Sequence, residues 1–122
     1  MVRALIVDDD SDMRFLVRMT IEVANHGLAV AGEAESGAEA IASVEQDPPE
    51  VVVLDNRMPG MTGLETARRI LADHPEQSII LFSAYLDAQT IAEAEALGVR
   101  MCIDKTDVDR IPDALWQLAD GA

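Results

Sequence analysis

Apolar positions along this chain fall into two alternating patterns. Short unbroken runs rich in Val, Ile and Leu occupy residues 4–7, 29–32, 51–54 and 79–82, with a weaker run at 101–103. Continuous runs of this length predict strands buried on both faces, as in a parallel sheet, because a half-exposed strand alternates apolar with polar residues. Between the runs, apolar residues recur at three- and four-residue spacing: Phe15, Leu16, Met19 and Val23, then Ala40, Ile41 and Val44, then Leu64, Ala67 and Leu71. Each stripe predicts a helix whose apolar face lies on the sheet.

The punctuation agrees with the periodicity. Ser36 with Glu39, and Thr62 with Glu65, have the spacing of capping boxes, and Gly98 follows Leu97 as a helix stop. Pro112 suits the first turn of a last helix, predicted over 112–119, where its missing N–H costs nothing. Residues 106–111 carry no clear pattern. Strands alternating with helices predict a doubly wound (βα)5 fold, a five-stranded parallel sheet of the flavodoxin-like kind wrapped by helices. The length of 122 residues fits one such unit, spanning 1–122, with no output domain inside the chain.

Charge narrows the choice of partners. Asp and Glu outnumber Lys and Arg by 23 to 9, and a net charge of -14 repels a phosphate backbone, so direct nucleic acid binding is not expected. No apolar run approaches the roughly 20 residues of a membrane span. The single cysteine, Cys102, has no partner for an internal disulfide, which points to a reducing, cytoplasmic setting.

In a sheet of this kind function gathers beyond the carboxyl ends of the strands, near the point where strand order reverses. The residues just past the predicted strands are Asp8, Asp9 and Asp10, then Asp55, then Ser83 and Ala84, then Lys105. Clustered carboxylates repel until a proton or a cation neutralises them. A hard divalent ion such as Mg²⁺, which takes oxygen ligands and serves phosphate chemistry, suits Asp9 and Asp55 better than zinc, since His26 and His74 sit at predicted helix ends away from this edge. An Asp carboxylate can also attack phosphorus, with Mg²⁺ and Lys105 neutralising the phosphoryl oxygens and Ser83 hydrogen-bonding one of them.

Taken singly, each residue has a plainer reading. An acidic run after a strand is commonly a helix cap, a lone Asp a turn former, Lys105 a surface lysine and Ser83 a cap. Cys102 reads as a small apolar filler, and Trp116 as core packing ahead of a partner anchor. The ordered set changes that weighting.

Along nearly its whole length the chain resembles a bacterial response-regulator receiver domain. Leu5-Ile6-Val7-Asp8-Asp9-Asp10 matches the family's opening, and Val53-Leu54-Asp55-Asn56-Arg57-Met58-Pro59-Gly60-Met61-Thr62-Gly63 its phosphoacceptor segment. Phe82-Ser83-Ala84 matches the end of its fourth strand, and Lys105 completes the set. The resemblance implies a phosphorylation-dependent switch of a two-component system, not a turnover enzyme on an external substrate. It implies that Asp55 takes the phosphoryl group from a sensor histidine kinase or phosphotransfer protein. It implies Mg²⁺ held by Asp9, Asp55 and the backbone carbonyl of Arg57, with Asp8 acting mainly through a water. Ser83 would move toward the phosphate, Lys105 would pair with it, and the face formed by the fourth helix, fifth strand and fifth helix would carry the signal to a downstream target or output domain. A phosphorylation-linked homodimer through that face is a further expectation.

Two positions depart from the family pattern. Cys102 stands where the family usually has an aromatic residue that swings inward on activation, and Thr106 follows Lys105 where many receivers have proline. The latter feature, and the segment AVAGEAESG over 29–37, resemble receivers that precede helix-turn-helix output domains. Arg57 and Tyr85 occupy positions that flank the path of an attacking water in this family, which predicts slow self-dephosphorylation. A phosphatase with an Asp nucleophile would carry a second Asp two residues on, where this chain has Arg57. A flavodoxin-like or dinucleotide-binding module would want a Gly- or Ser/Thr-rich first loop, where this chain has acids. The stronger alternative is a receiver-like docking module that works without phosphorylation.

Overall fold

The computed structural model describes residues 1–120, so the last two residues of the unit predicted over 1–122 lie outside the described residues. The elements run β1 (Val2–Val7), α1 (Ser11–Ala24), β2 (Leu28–Ala34), α2 (Gly37–Gln46), β3 (Val51–Leu54), α3 (Gly63–Asp73), β4 (Ser78–Ser83), α4 (Ala88–Leu97), β5 (Met101–Asp104) and α5 (Ile111–Asp120). A 3₁₀ helix over Lys105–Arg110, kinked at Asp107, fills the stretch between β5 and α5 that the pattern left unassigned. All strand pairs are parallel, in the order β2-β1-β3-β4-β5. This is the doubly wound (βα)5 flavodoxin-like fold that the alternation predicts.

Alternation along the central strands divides the core in two. Ala4, Ile6, Val51, Val53, Ile80 and Phe82 face one side and pack with Val17 and Ile21 of α1 and Ile111, Leu115 and Leu118 of α5. Leu5, Val7, Val52, Leu54, Ile79 and Leu81 face the other, against Ala40 and Val44 of α2, Ala67 and Ile70 of α3, and Ala94 of α4. Strands β1, β3 and β4 are buried on both faces, which is why their sequences read as unbroken apolar runs.

The structure corrects the reading of α1. Phe15, Leu16, Met19 and Val23 do not face the sheet: Phe15 is 62% and Val23 78% exposed. The buried stripe is Val17 and Ile21, flanked by Met13 and Ala24. Both sets have helical spacing, so α1 carries two apolar stripes, and periodicity alone does not say which one the sheet takes. The sheet takes the stripe holding the β-branched pair.

The helix ends follow their local chemistry. Thr62 and Glu65 form a complete capping box at α3. At α2 the Ser36 hydroxyl accepts from the Glu39 N–H, but the Glu39 carboxylate reaches the N–H of Glu35 instead of closing the box on Ser36. Gly98 ends α4 in the left-handed conformation, at φ 104°, as a helix stop requires. Trp116 is 38% exposed, and its ring lies so close to Gly27 that a Cβ there would sit 2.9 Å from Cη2. It packs on the α1–β2 turn rather than standing free.

Candidate functional site

Strand order reverses between β1 and β3, and the acids predicted to matter sit just beyond the carboxyl ends of these two strands. An open cleft of roughly 210 Å³ there is lined by Asp8, Asp9, Asp10, Asp55, Arg57, Ser83, Ala84, Tyr85 and Lys105. Asp8, Asp9, Asp55, Arg57, Ser83 and Lys105, the candidate site residues of the sequence, are therefore brought to one place, and Cys102 is not. Another cleft of about 160 Å³, between β2 and α2, offers a single carboxylate, Asp47, which is already paired with Arg3.

The three consecutive acids do different jobs. Asp10 is the N-cap of α1, its carboxylate accepting from the Asp12 N–H at 3.0 Å, so the plain reading of the run holds for this residue. Asp8 is buried and bonded at each polar atom. Its N–H donates to Ala34 O at 3.1 Å, its carbonyl accepts from Arg14 Nη1 at 2.7 Å, and its two carboxylate oxygens accept from the Asp10 N–H at 2.9 Å and Lys105 Nζ at 2.8 Å. Asp9 lies between them, exposed at the mouth.

Asp55 follows β3 and is only 4% exposed. Its N–H donates to Val7 O at 2.9 Å, tying the loop after β3 to the end of β1. Gly63, the first residue of α3, makes room for it: a Cβ at Gly63 would lie 2.3 Å from the Asp55 carbonyl oxygen. The Gly63 N–H donates to Asn56 O at 2.9 Å and the Leu64 N–H to Asn56 Oδ1 at 3.1 Å, so α3 grips the loop by its first turn. Nothing in the periodicity marks this role of Gly63, because a close backbone approach leaves no mark in the sequence.

Lys105 stands just past β5, and its ammonium bridges Asp8 Oδ2 at 2.8 Å and Asp55 Oδ1 at 3.3 Å. Burial alone would lower its pKa, but the hydrogen bond to Asp8 and the charges of Asp55 and Asp8 outweigh that and hold the lysine above its usual value. Asp55 is shifted up, first by burial and then by the nearby charge of Asp8, against the opposing pull of Lys105 and the Arg57 N–H. One ammonium does not satisfy this group of acids.

Ser83, the last residue of β4, is buried, and its hydroxyl oxygen accepts from the Tyr85 N–H at 3.3 Å. The Arg57 guanidinium lies over the Tyr85 ring, 3.8 Å from its centroid, joining the loop after β3 to the loop after β4 across the mouth. Cys102 lies on β5, partly buried against the second core cluster and outside the cleft. Burial, and then the charge of Glu95, push its thiol pKa up, which makes it a poor nucleophile.

One carboxylate oxygen from each of Asp8, Asp9 and Asp55 lies within 4.8 Å of the others. This all-oxygen donor set, with an excess of negative charge left after Lys105, fits Mg²⁺ and offers no imidazole or thiolate for zinc.

The response regulator receiver domain model matches residues 4–115, and the chain belongs to that family. The chemotaxis protein CheY of Listeria monocytogenes is 33% identical over 98% of this chain and 99% of its own length. The protein-glutamate methylesterase/protein-glutamine glutaminase of Bacillus licheniformis is 40% identical over 68% of this chain, which spans only 23% of that relative. Among solved structures, a LuxR-family two-component response regulator from Aurantimonas superposes with a TM-score of 0.93 at 27% identity, covering 99% of this chain and 86% of that one. A LuxR-family response regulator is thus among the structural neighbours.

Proposed function

We propose that this receiver is a phosphorylation-dependent switch in which Asp55 accepts a phosphoryl group from a phosphohistidine of a sensor kinase or phosphotransfer protein. The observation that carries this reading is the Lys105 ammonium held between Asp8 and Asp55 at the floor of an acidic cleft. A carboxylate oxygen of Asp55 attacks phosphorus, the bond from phosphorus to the donor nitrogen breaks, and the nitrogen keeps the electron pair and takes a proton.

Asp9, Asp55 and the backbone carbonyl of Arg57 would hold Mg²⁺, with Asp8 contributing mainly through a water, since both its carboxylate oxygens already accept hydrogen bonds. When bound, Mg²⁺ supplies neutralisation of the charge on the phosphoryl oxygens. Lys105 stabilises a further oxygen. The Ser83 hydroxyl, which accepts from the Tyr85 N–H, still has its own proton to donate to the phosphoryl group. That donation would draw the loop after β4 inward and alter the face of α4, β5 and α5, where Cys102 supplies no aromatic side chain to swing.

The stacked Arg57 and Tyr85 narrow the way in for water, in keeping with a long-lived phosphoryl group. The lone cysteine and the Mg²⁺ requirement suit the cytoplasm. A downstream target or an attached output domain would read the altered face, and self-association through it is the simplest response. The test is intact mass after incubation with acetyl phosphate, with and without Mg²⁺, beside Asp55→Asn. One adduct that needs both Mg²⁺ and Asp55 supports the switch; no adduct under any condition points to a docking module that works without phosphorylation.

A further inference from the structure

Asp9 is the exposed member of the acidic set, and no hydrogen bond from its side chain holds it among the described residues. Its placement therefore depends on the backbone on either side. The guanidinium of Arg14 donates from Nη1 to the carbonyl of Asp8 at 2.7 Å, and the Arg14 N–H donates to the carbonyl of Asp10 at 3.1 Å. One residue thus fastens the peptide before Asp9 with its side chain and the peptide after Asp10 with its backbone, while the peptide between Asp9 and Asp10 is held by the Asp10 N–H donating to Asp8 Oδ1 at 2.9 Å.

The guanidinium is itself anchored. Its Nε donates to Glu33 Oε1 at 2.9 Å, and the other oxygen of Glu33 accepts from Arg18 Nε at 2.7 Å. Glu33 belongs to β2, one of the two edge strands, so the chain of contacts runs from that sheet edge through Arg14 to the acidic loop. The Arg14 side chain is mostly buried, unlike a freely solvated surface arginine, and charged donors make the stronger hydrogen bonds.

We infer that Arg14 is a positioning residue for the Mg²⁺ site, holding the Asp8–Asp9 peptide so that the Asp9 carboxylate meets those of Asp8 and Asp55. The inference rests on the reading of the cleft as a Mg²⁺-dependent phosphoacceptor. It makes an assertion that runs against simple electrostatics. A cation beside a metal site repels the metal, so on charge alone its removal should tighten Mg²⁺ binding. Loss of positioning should weaken it.

Calorimetric titration of Mg²⁺ into the chain, without any phosphodonor, separates the two. Arg14→Gln is expected to weaken Mg²⁺ affinity about tenfold, the low end for the loss of a group that orients a metal ligand. Arg14→Lys, which keeps the charge but cannot span both Asp8 and Glu33, is expected to fall between that variant and the wild type. Arg18→Gln removes a cation from the same Glu33 without touching the Asp8 backbone, and should bind within about twofold of the wild type on the same scale. In acetyl phosphate labelling, the Mg²⁺ concentration giving half-maximal rate should rise for Arg14→Gln, while the rate at saturating Mg²⁺ stays close to that of the wild type. Should Arg14→Gln not fold, judged by circular dichroism, Arg14→Lys decides. Equal or tighter Mg²⁺ binding by the folded Arg14 variants overturns the inference while leaving the switch intact. A wild-type chain that binds no Mg²⁺ overturns the reading beneath it.

Discussion

The two rims of the acidic cleft are built differently. On the β1 side, Asp8 is bonded through its N–H, its carbonyl and both carboxylate oxygens, and Asp10 caps α1. On the β4 side, Ser83 accepts one bond of 3.3 Å from the Tyr85 N–H, and Tyr85 itself is held at the mouth by a stack on Arg57. A rim whose backbone is fastened at several points, even with the Asp9 carboxylate left open, resists displacement, whereas one resting on a long hydrogen bond and a cation–π contact can rearrange at small cost. Under the proposed switch, the contrast suits β1 and β3 to the static work of holding metal and nucleophile, and β4 to the moving part. In that proposal the loop after β4, lightly held, would move without help from an aromatic side chain at Cys102.

The largest effect should come from Lys105, the cation that ties the fixed rim to the nucleophile. Lys105→Ala is expected to slow labelling by acetyl phosphate at saturating Mg²⁺ about 100-fold, the usual cost of losing one preorganised charge-stabilising donor. Stopped-flow or quenched time courses check this. Next is Gly63→Ala, which forces a Cβ against the Asp55 carbonyl and should cost about 1–3 kcal/mol of stability, measured by urea unfolding.

Asp55→Asn sharpens the comparison through pH. Because burial and the Asp8 charge raise the Asp55 pKa, the folded state binds this proton more tightly than the unfolded state does. Ionised Asp55 therefore costs stability, beginning as pH rises through the unfolded carboxyl value and complete above the folded pKa. In EDTA, Asp55→Asn should melt higher than the wild type at neutral pH, with the gain disappearing below about pH 4, the unperturbed range of the carboxyl group. A melting series across pH reads this directly. The smallest effect belongs to the β4 rim: Tyr85→Ala removes a stack worth about 0.5–1 kcal/mol at an exposed site, so phosphate loss should quicken by about 2–5-fold. An unchanged lifetime would separate the stack from water access.

Much of the fold is legible because burial on two faces leaves an unbroken apolar run. The span of β3 agrees with the pattern residue for residue, and β1 and β4 are longer by a residue or two at their ends. Strand β2 is less legible since it is an edge strand with Ala31 and Glu33 exposed, and its run fades before Ala34. Helix α1 misleads by carrying two apolar stripes. The site is readable from the residues just past each strand, because a parallel sheet sends all of them to one edge. What the sequence does not display is support: Arg14 reaching back to Asp8, Gly63 making space beside Asp55, and the Arg57–Tyr85 stack are contacts between segments with no periodicity to mark them.

The central claim, that Asp55 accepts a phosphoryl group with a divalent ion in this cleft, is tested most directly by intact mass after incubation with acetyl phosphate. A single phosphoryl adduct that appears with Mg²⁺, is absent in EDTA and is absent from Asp55→Asn is the predicted result. An unmodified mass in all three samples, or an adduct that persists in Asp55→Asn, would contradict it.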